Sequence, residues 1–187
     1  DSRLRLPRKV SIPLRRVKLA ETPDKKLVAI KRFKKETATI ATLKHELSVI
    51  KELYHENLVN LVAVRENATY KKKSGETYRL SLCRFQCFAI VLEYAGGGEL
   101  FDFIALGGRF HPNVARSYFY QLMNGVHYMH EKGFAHRDIK PENLILESSG
   151  NAKLMDFGIA RPIRRSEPGH TQQGMFVGTP HYAAPEQ

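Results

Sequence analysis

The sequence predicts an α+β fold in which a strand-rich N-terminal part precedes a helix-rich C-terminal part, and three observations carry that expectation. Leu27-Val28-Ala29-Ile30-Lys31 alternates and is rich in β-branched residues, as a strand does, and residues 58–64 and 88–93 have the same character. Residues 114–130 instead repeat apolar side chains at helical spacing, with Leu122, Val126 and Met129 on one face. Between these regimes Ala95-Gly96-Gly97-Gly98 breaks both periods and marks a flexible joint over residues 93–98.

The remaining elements follow in order. Leu43, Leu47, Ile50 and Leu53 recur at helical spacing behind threonines suited to capping, and Glu46 lies beside that apolar stripe. A polar insert centred on Lys72-Lys73-Ser74-Gly75 separates the strands at 58–64 and 88–93. Beyond the long helix, residues 144–146 and 152–155 read as short strands.

A chain of 187 residues can bury a proper core as one domain or two small lobes. Apolar residues make up 42% and charged residues 26%, ordinary for a globular protein, and no apolar run approaches the roughly 18 residues of a membrane span. Asp1-Ser2-Arg3-Leu4-Arg5 has none of the apolar character of a secretory signal. Cys83 and Cys87 are too few for a disulfide framework or a zinc site, so free thiols in a cytoplasmic or nuclear protein are expected, and the sequon Asn67-Ala68-Thr69 goes unused. The net charge of +11 gathers at residues 3–18 and at Lys71-Lys72-Lys73. Neither stretch carries the stacking aromatics of a nucleic-acid module, so a solvated basic surface and no nucleic-acid partner are expected. His127 and His130 flank a helix end without further ligands and are not read as a metal site.

The strongest chemical signal is His136-Arg137-Asp138-Ile139-Lys140-Pro141-Glu142-Asn143, which offers a carboxylate, a lysine and an amide within one short loop. Phosphoryl transfer needs such a set: a group to orient the attacking hydroxyl, a cation near the transferring group, and oxygen ligands for Mg2+. Asp156-Phe157-Gly158 follows a short apolar strand, where a carboxylate can hold a hard cation and glycine permits a sharp turn.

These two segments resemble the catalytic loop and the metal-binding Asp-Phe-Gly of eukaryotic-type Ser/Thr protein kinases, and the chain resembles the calcium/calmodulin-dependent and SNF-like group among them. Val28-Ala29-Ile30-Lys31, His55-Glu56-Asn57-Leu58-Val59 and residues 178–186 (Gly178-Thr179-Pro180 through Ala184-Pro185-Glu186) resemble further motifs of that family in the same order. The resemblance implies a two-lobed kinase fold with an N-lobe over residues 1–92, a hinge at 93–98 and a partial C-lobe at 99–187, truncated after Ala-Pro-Glu. It implies Asp138 and Lys140 as catalytic residues, with Asn143 and Asp156 holding Mg2+. Val17, Ala29, Lys31, Glu46, Glu93, Ala95, Glu99 and Ile145 would contact or position ATP, with Glu46 pairing Lys31 and Leu92 as gatekeeper. His136 is expected to have a packing role. Arg137 and Arg161 are expected to form a pocket for a phosphate on the activation segment.

The implied activity is transfer of the ATP γ-phosphate to protein Ser/Thr hydroxyls. The implied partner is a basophilic protein substrate met by Glu99 and Glu142, and no oligomeric state is assigned. Two departures stand beside the resemblance. Val10, Ile12 and Arg15 occupy the three positions of the family's Gly-rich loop, and the first glycine of the chain is Gly75. Met175 stands at the usual activation-segment phosphosite, leaving Thr171 and Ser166 as candidates. The missing glycines make a catalytically impaired pseudokinase scaffold the alternative reading.

Overall fold

The computed structural model describes residues 16–22, 24–32, 37–66, 69–71, 77–79, 88–163 and 177–185. Val10, Ile12, Arg15, Cys83, Cys87, Ser166, Thr171, Met175 and Glu186 lie outside the described residues. In chain order the elements are β1 (Arg16–Glu21), β2 (Leu27–Arg32), α1 (Thr37–Ile50), β3 (Leu61–Glu66), β4 (Thr69–Lys71), β5 (Thr77–Arg79) and β6 (Phe88–Glu93). Then come β7 (Gly98–Glu99), α2 (Leu100–Gly107), α3 (Pro112–Glu131), β8 (Phe134–Ala135), β9 (Leu144–Leu146), β10 (Ala152–Leu154) and β11 (Arg161–Pro162). None of the described helices is long and apolar enough to cross a membrane.

Four strands form an antiparallel sheet in the order β1-β2-β6-β3. Its register pairs Val17 and Ile90 with Lys31, and Leu19 and Leu92 with Ala29. Directly paired residues share a face, so Val17, Leu19, Ala29 and Lys31 line one side of the sheet. Val17 and Leu19 are exposed there. A smaller sheet, β10-β9-β7, lies beyond the joint, and β4 pairs with β5 as a separate hairpin around the polar insert.

A single apolar core links these parts. Leu43, Leu47 and Ile50 of α1, all buried, meet Ile90 of β6, Val126 and Met129 of α3, and Leu144 and Leu154 of the small sheet. Helix α3 starts two residues before the expected 114, because His111 accepts the Asn113 N–H through Nδ1 at 3.4 Å and Pro112 supplies a pre-set first turn.

Two expectations need correction. Residues 58–60 are not part of the strand expected over 58–64, which begins at Leu61. Their backbone is committed elsewhere: Val59 N–H donates to Leu154 O (2.9 Å), and Leu154 N–H donates to Asn57 O (2.8 Å). This isolated parallel bridge stitches the segment after α1 to β10. The joint at 93–98 is also more constrained than its glycines suggest. Gly97 N–H donates to Leu146 O at 2.7 Å, and Gly98 and Glu99 pair with Leu146 and Ile145. A Cβ at position 97 would lie 2.6 Å from Glu147 O and 2.7 Å from Leu146 O, so close backbone approach is what demands glycine there.

Gly97→Ala should therefore destabilise the fold by about 1–3 kcal/mol. Gly107→Ala, in α2 with nothing within 4 Å of the added methyl, should be neutral or stabilising by up to about 1 kcal/mol. Thermal melts of the two variants check the contrast; equal melting temperatures would refute the close-approach explanation.

Candidate active site

Lys31 lies on β2 with its side chain in the interior, and α1 brings Glu46 against it. The Lys31 ammonium contacts Glu46 Oε1 and lies 3.3 Å from Asp156 Oδ1. Side-chain exposure is 7% for Lys31 and 2% for Glu46, so each charge depends on the other. Three sequence-distant residues expected at the site, Lys31, Glu46 and Asp156, are thus in one place.

Asp156 adopts φ 66°, a left-handed conformation that Asp tolerates better than most residues. The left-handed residue is thus the aspartate itself, ahead of the expected glycine, and the turn that follows is closed by Ala160 N–H donating to Phe157 O at 3.2 Å. Phe157 is buried with its ring edge-on to His136, centroids 5.6 Å apart. His136 Nδ1 accepts the Asp138 N–H at 3.2 Å, so Nε2 carries the proton and donates to Met155 O at 3.0 Å. Burial lowers the pKa of this imidazole below its ordinary value, against a smaller raising effect from the Met155 carbonyl. His136 is a neutral brace between two functional loops, in line with the packing role expected of it.

Asp138 collects three donors. Thr179 Oγ1 donates to Oδ1 at 2.7 Å, Asn143 Nδ2 to Oδ2 at 2.9 Å, and the Lys140 ammonium lies 2.9 Å from Oδ2. Lys140 also donates to Thr179 Oγ1 at 2.7 Å. Burial alone would raise the Asp138 carboxyl, but the bonds from Lys140, Thr179 and Asn143 outweigh it and hold the pKa below the ordinary value. The carboxylate stays ionised and fixed. Asn143, buried, also donates to Asp138 O at 2.7 Å, which leaves its amide oxygen as a ligand. Asn143 and Asp156 are the residues here whose oxygens are hard donors of the kind that could hold Mg2+.

The other expected residues sit as follows. Ala29 and exposed Val17 share the Lys31 face of the sheet. Ala95 is buried, and Ile145 pairs with both Lys153 and Glu99. The Glu93 carboxylate faces Asn60 and Lys153, leaving backbone as its means of meeting a ligand. Glu99 is half-buried, and burial, then the charges of Asp102 and Glu142, raise its pKa. Arg137, at φ 67°, donates through Nε to Ile159 O at 2.8 Å, and burial and the nearby Arg161 charge both lower its pKa. Arg161 in turn contacts the His45 ring. A cavity of about 170 Å³ opens beside Asp138, lined also by Ile139, Gly178, Thr179 and Tyr182.

Sequence reasoning missed His45, Asn60 and Lys153 as neighbours of the site. Lys153 carried a usable signal, a lysine inside the apolar strand Ala152-Lys153-Leu154, the same anomaly that singled out Lys31.

Comparison with known proteins places the chain in a family. The family model described as "Protein kinase domain" matches residues 16–187. The chain belongs to the protein kinase domain family. It is similar to CBL-interacting serine/threonine-protein kinase 8 of Arabidopsis thaliana, 42% identical over 144 residues, covering 77% of this chain and 28% of that protein. It is also similar to CBL-interacting protein kinase 32 of Oryza sativa subsp. japonica, 40% identical over 166 residues, covering 85% and 33% respectively. The chain spans a third or less of the length of these curated relatives.

The His136 environment has a consequence for stability. Its pKa is depressed in the folded state, so the unfolded chain binds more protons below 6.5, the ordinary value. The His136 contribution to stability is complete above that pH and is lost as pH falls from 6.5 through the lowered folded value. Denaturant melts of wild type and His136→Gln across this window should show stability rising with pH more steeply in the wild type than in the variant. Identical slopes would refute the neutral-brace assignment.

Proposed function

We propose that the protein is a Ser/Thr protein kinase, transferring the γ-phosphate of ATP to protein hydroxyls. The observation that carries this reading is the joint assembly of two clusters: Lys31, Glu46 and Asp156 on one side, and Asp138, Lys140, Asn143 and Thr179 on the other. Family membership and the serine/threonine-kinase names of the relatives support it. The division into lobes at residues 1–92 and 99–187, joined at 93–98, is supported by the separate four-stranded and three-stranded sheets.

In this mechanism Asp138, fixed and ionised, accepts a hydrogen bond from the substrate hydroxyl and turns its oxygen toward the phosphoryl group. Lys140 offsets charge on the transferring group from within contact of the same carboxylate. Lys31, held by Glu46, binds the α- and β-phosphates, while Val17, Ala29, Ala95 and Ile145 border the base and Glu93 meets it through backbone. Asn143 and Asp156 would hold Mg2+, which when bound neutralises phosphate charge. Among the described residues nothing favours the non-catalytic scaffold over this reading.

Substrates with arginine N-terminal to the acceptor fit the site best. Glu99 is crowded by the like charges of Asp102 and Glu142, and Glu142 Oε2 is buried without a hydrogen-bond partner among the described residues. A guanidinium would relieve both.

Asp138→Asn in the full-length protein should lower kcat by roughly 10²–10⁴-fold while Mg-ATP affinity stays nearly unchanged, because the phosphates are held by other groups. Steady-state kinetics with calorimetry check this, and wild-type turnover in the variant would refute the role of Asp138. A peptide array with the same protein should favour arginine on the N-terminal side of Ser or Thr, a preference that Glu99→Gln weakens. A profile favouring acidic or proline-directed sites would overturn the arginine preference.

A further inference from the structure

The four-stranded sheet has a second face, opposite the one that carries Lys31, and its register collects positive charge there. Arg16 pairs with Arg32, Arg32 with Ala89, and Ala89 with Arg65. One row across β1-β2-β6-β3 therefore carries three arginines, with an alanine between the second and third. Lys18 lies on the same face, in the row that it forms with Ile30, Val91 and Ala63. Like charges set directly opposite one another, as Arg16 and Arg32 are, destabilise a strand pair, so the sheet alone gives no reason for the arrangement. Glu21 and Glu66 fall on the Lys31 face. On the arginine face of the described sheet the one acid is Glu93, at the other end of β6, and its carboxylate is already held by Asn60 and Lys153.

This placement suits an anionic partner, and three features select its kind. Arginine supplies three of the four charges, and a guanidinium pairs with a carboxylate through two parallel hydrogen bonds as an ammonium does not. No aromatic residue lies on this face of the described sheet, so it offers no stacking platform for single-stranded nucleic acid. Val28 and Val91 on it are buried and Ile30 and Ala63 half-buried, so no large apolar side chain stands clear to enter a bilayer. The dimensions favour a polypeptide. Arg16 and Arg65 are three strand spacings apart, about 14 Å, and an extended chain carries same-side residues at i, i+2 and i+4 over about 13 Å. The β4–β5 hairpin begins three residues past the end of β3, at the arginine end of the sheet, and brings Lys71 and Arg79 onto one face of its own.

We infer that the arginine face of the four-stranded sheet is a docking surface for an acidic polypeptide segment, extended across the strands with its carboxylates matched to Arg16, Arg32 and Arg65. The surface lies on the opposite side of the sheet from Lys31 and uses none of the groups assigned to phosphoryl transfer, so it stands whether or not the protein transfers phosphate. Its partner is recognised by carboxylates spaced along one side of an extended chain.

The test uses the full-length protein and a fluorescently labelled synthetic peptide of alternating glutamate and alanine, with binding followed by anisotropy at low salt. Wild type should bind this peptide and not its glutamine counterpart. Arg16→Gln, Arg32→Gln and Arg65→Gln together should weaken binding roughly tenfold. Arg109→Gln, Arg116→Gln and Lys132→Gln together remove the same charge from exposed positions elsewhere, and should change binding by less than about twofold. Arg16→Gln and Arg65→Gln singly, at the two ends of the row, should each weaken it about threefold and carry the test if the combined variant does not fold. No binding by the wild type, equal binding of the glutamine peptide, or equal weakening by the two combined variants would each overturn the inference. Phosphatidylserine–phosphatidylcholine vesicles and a short DNA duplex are run beside the peptide at equal anionic charge. Tighter binding of either, lost in the arginine variant, would overturn the assignment of the face to a polypeptide.

Discussion

Lys31 and Glu46 lie almost wholly out of water, one on a strand and the other on a helix fifteen residues later, and neither charge would be tolerated there alone. Removing one partner of a buried pair typically costs about 3–5 kcal/mol, since the other is left uncompensated. The pair therefore fixes where α1 lies against the four-stranded sheet. The apolar stripe Leu43, Leu47 and Ile50 supplies the adhesion, but it is non-directional; the ion pair sets position along the groove. Lys31 then reaches Asp156, so the placement of α1 is transmitted to the segment that bears this carboxylate.

The second constraint is local and centres on His136. Its two ring nitrogens join the Asp138 backbone to the Met155 carbonyl, so the loop bearing the proposed catalytic aspartate and the strand leading to Asp156 move as one. Both loops hold a non-glycine residue at positive φ, Arg137 and Asp156. Such conformations cost on the order of 1 kcal/mol or more each and persist where surrounding bonds over-determine them. Here the Arg137 bond to Ile159 O and the Asn143 bonds to Asp138 provide that support.

Much of this was legible in the sequence, and the division follows the range of the interactions. β2 and β6 were readable because alternation is a local property, and α3 because its helical period persists over five turns. The clustering of Asp138, Lys140 and Asn143 was legible because they share one loop. Lys31 declared itself by ending an apolar run. The path of residues 58–60 was not legible, because an apolar segment that pairs with β10 nearly a hundred residues away looks like any other strand. The Asn60–Glu93–Lys153 network was hidden for the same reason: its members are 33 to 93 positions apart, and only Lys153, inside an apolar strand, carried a local signal. Gly97 was read as loosening the chain, whereas its missing side chain lets two backbones pair.

The central claim is that the buried Lys31–Glu46 pair acts as one unit in phosphoryl transfer. A double-mutant cycle measures this directly: kcat/KM for Mg-ATP in the full-length wild type, Lys31→Met, Glu46→Gln and the combined variant. A shared role predicts that each single change removes most of the transfer and that the combined variant is barely worse than Lys31→Met alone. Losses that multiply, or a Glu46→Gln enzyme with wild-type kcat/KM, would contradict it.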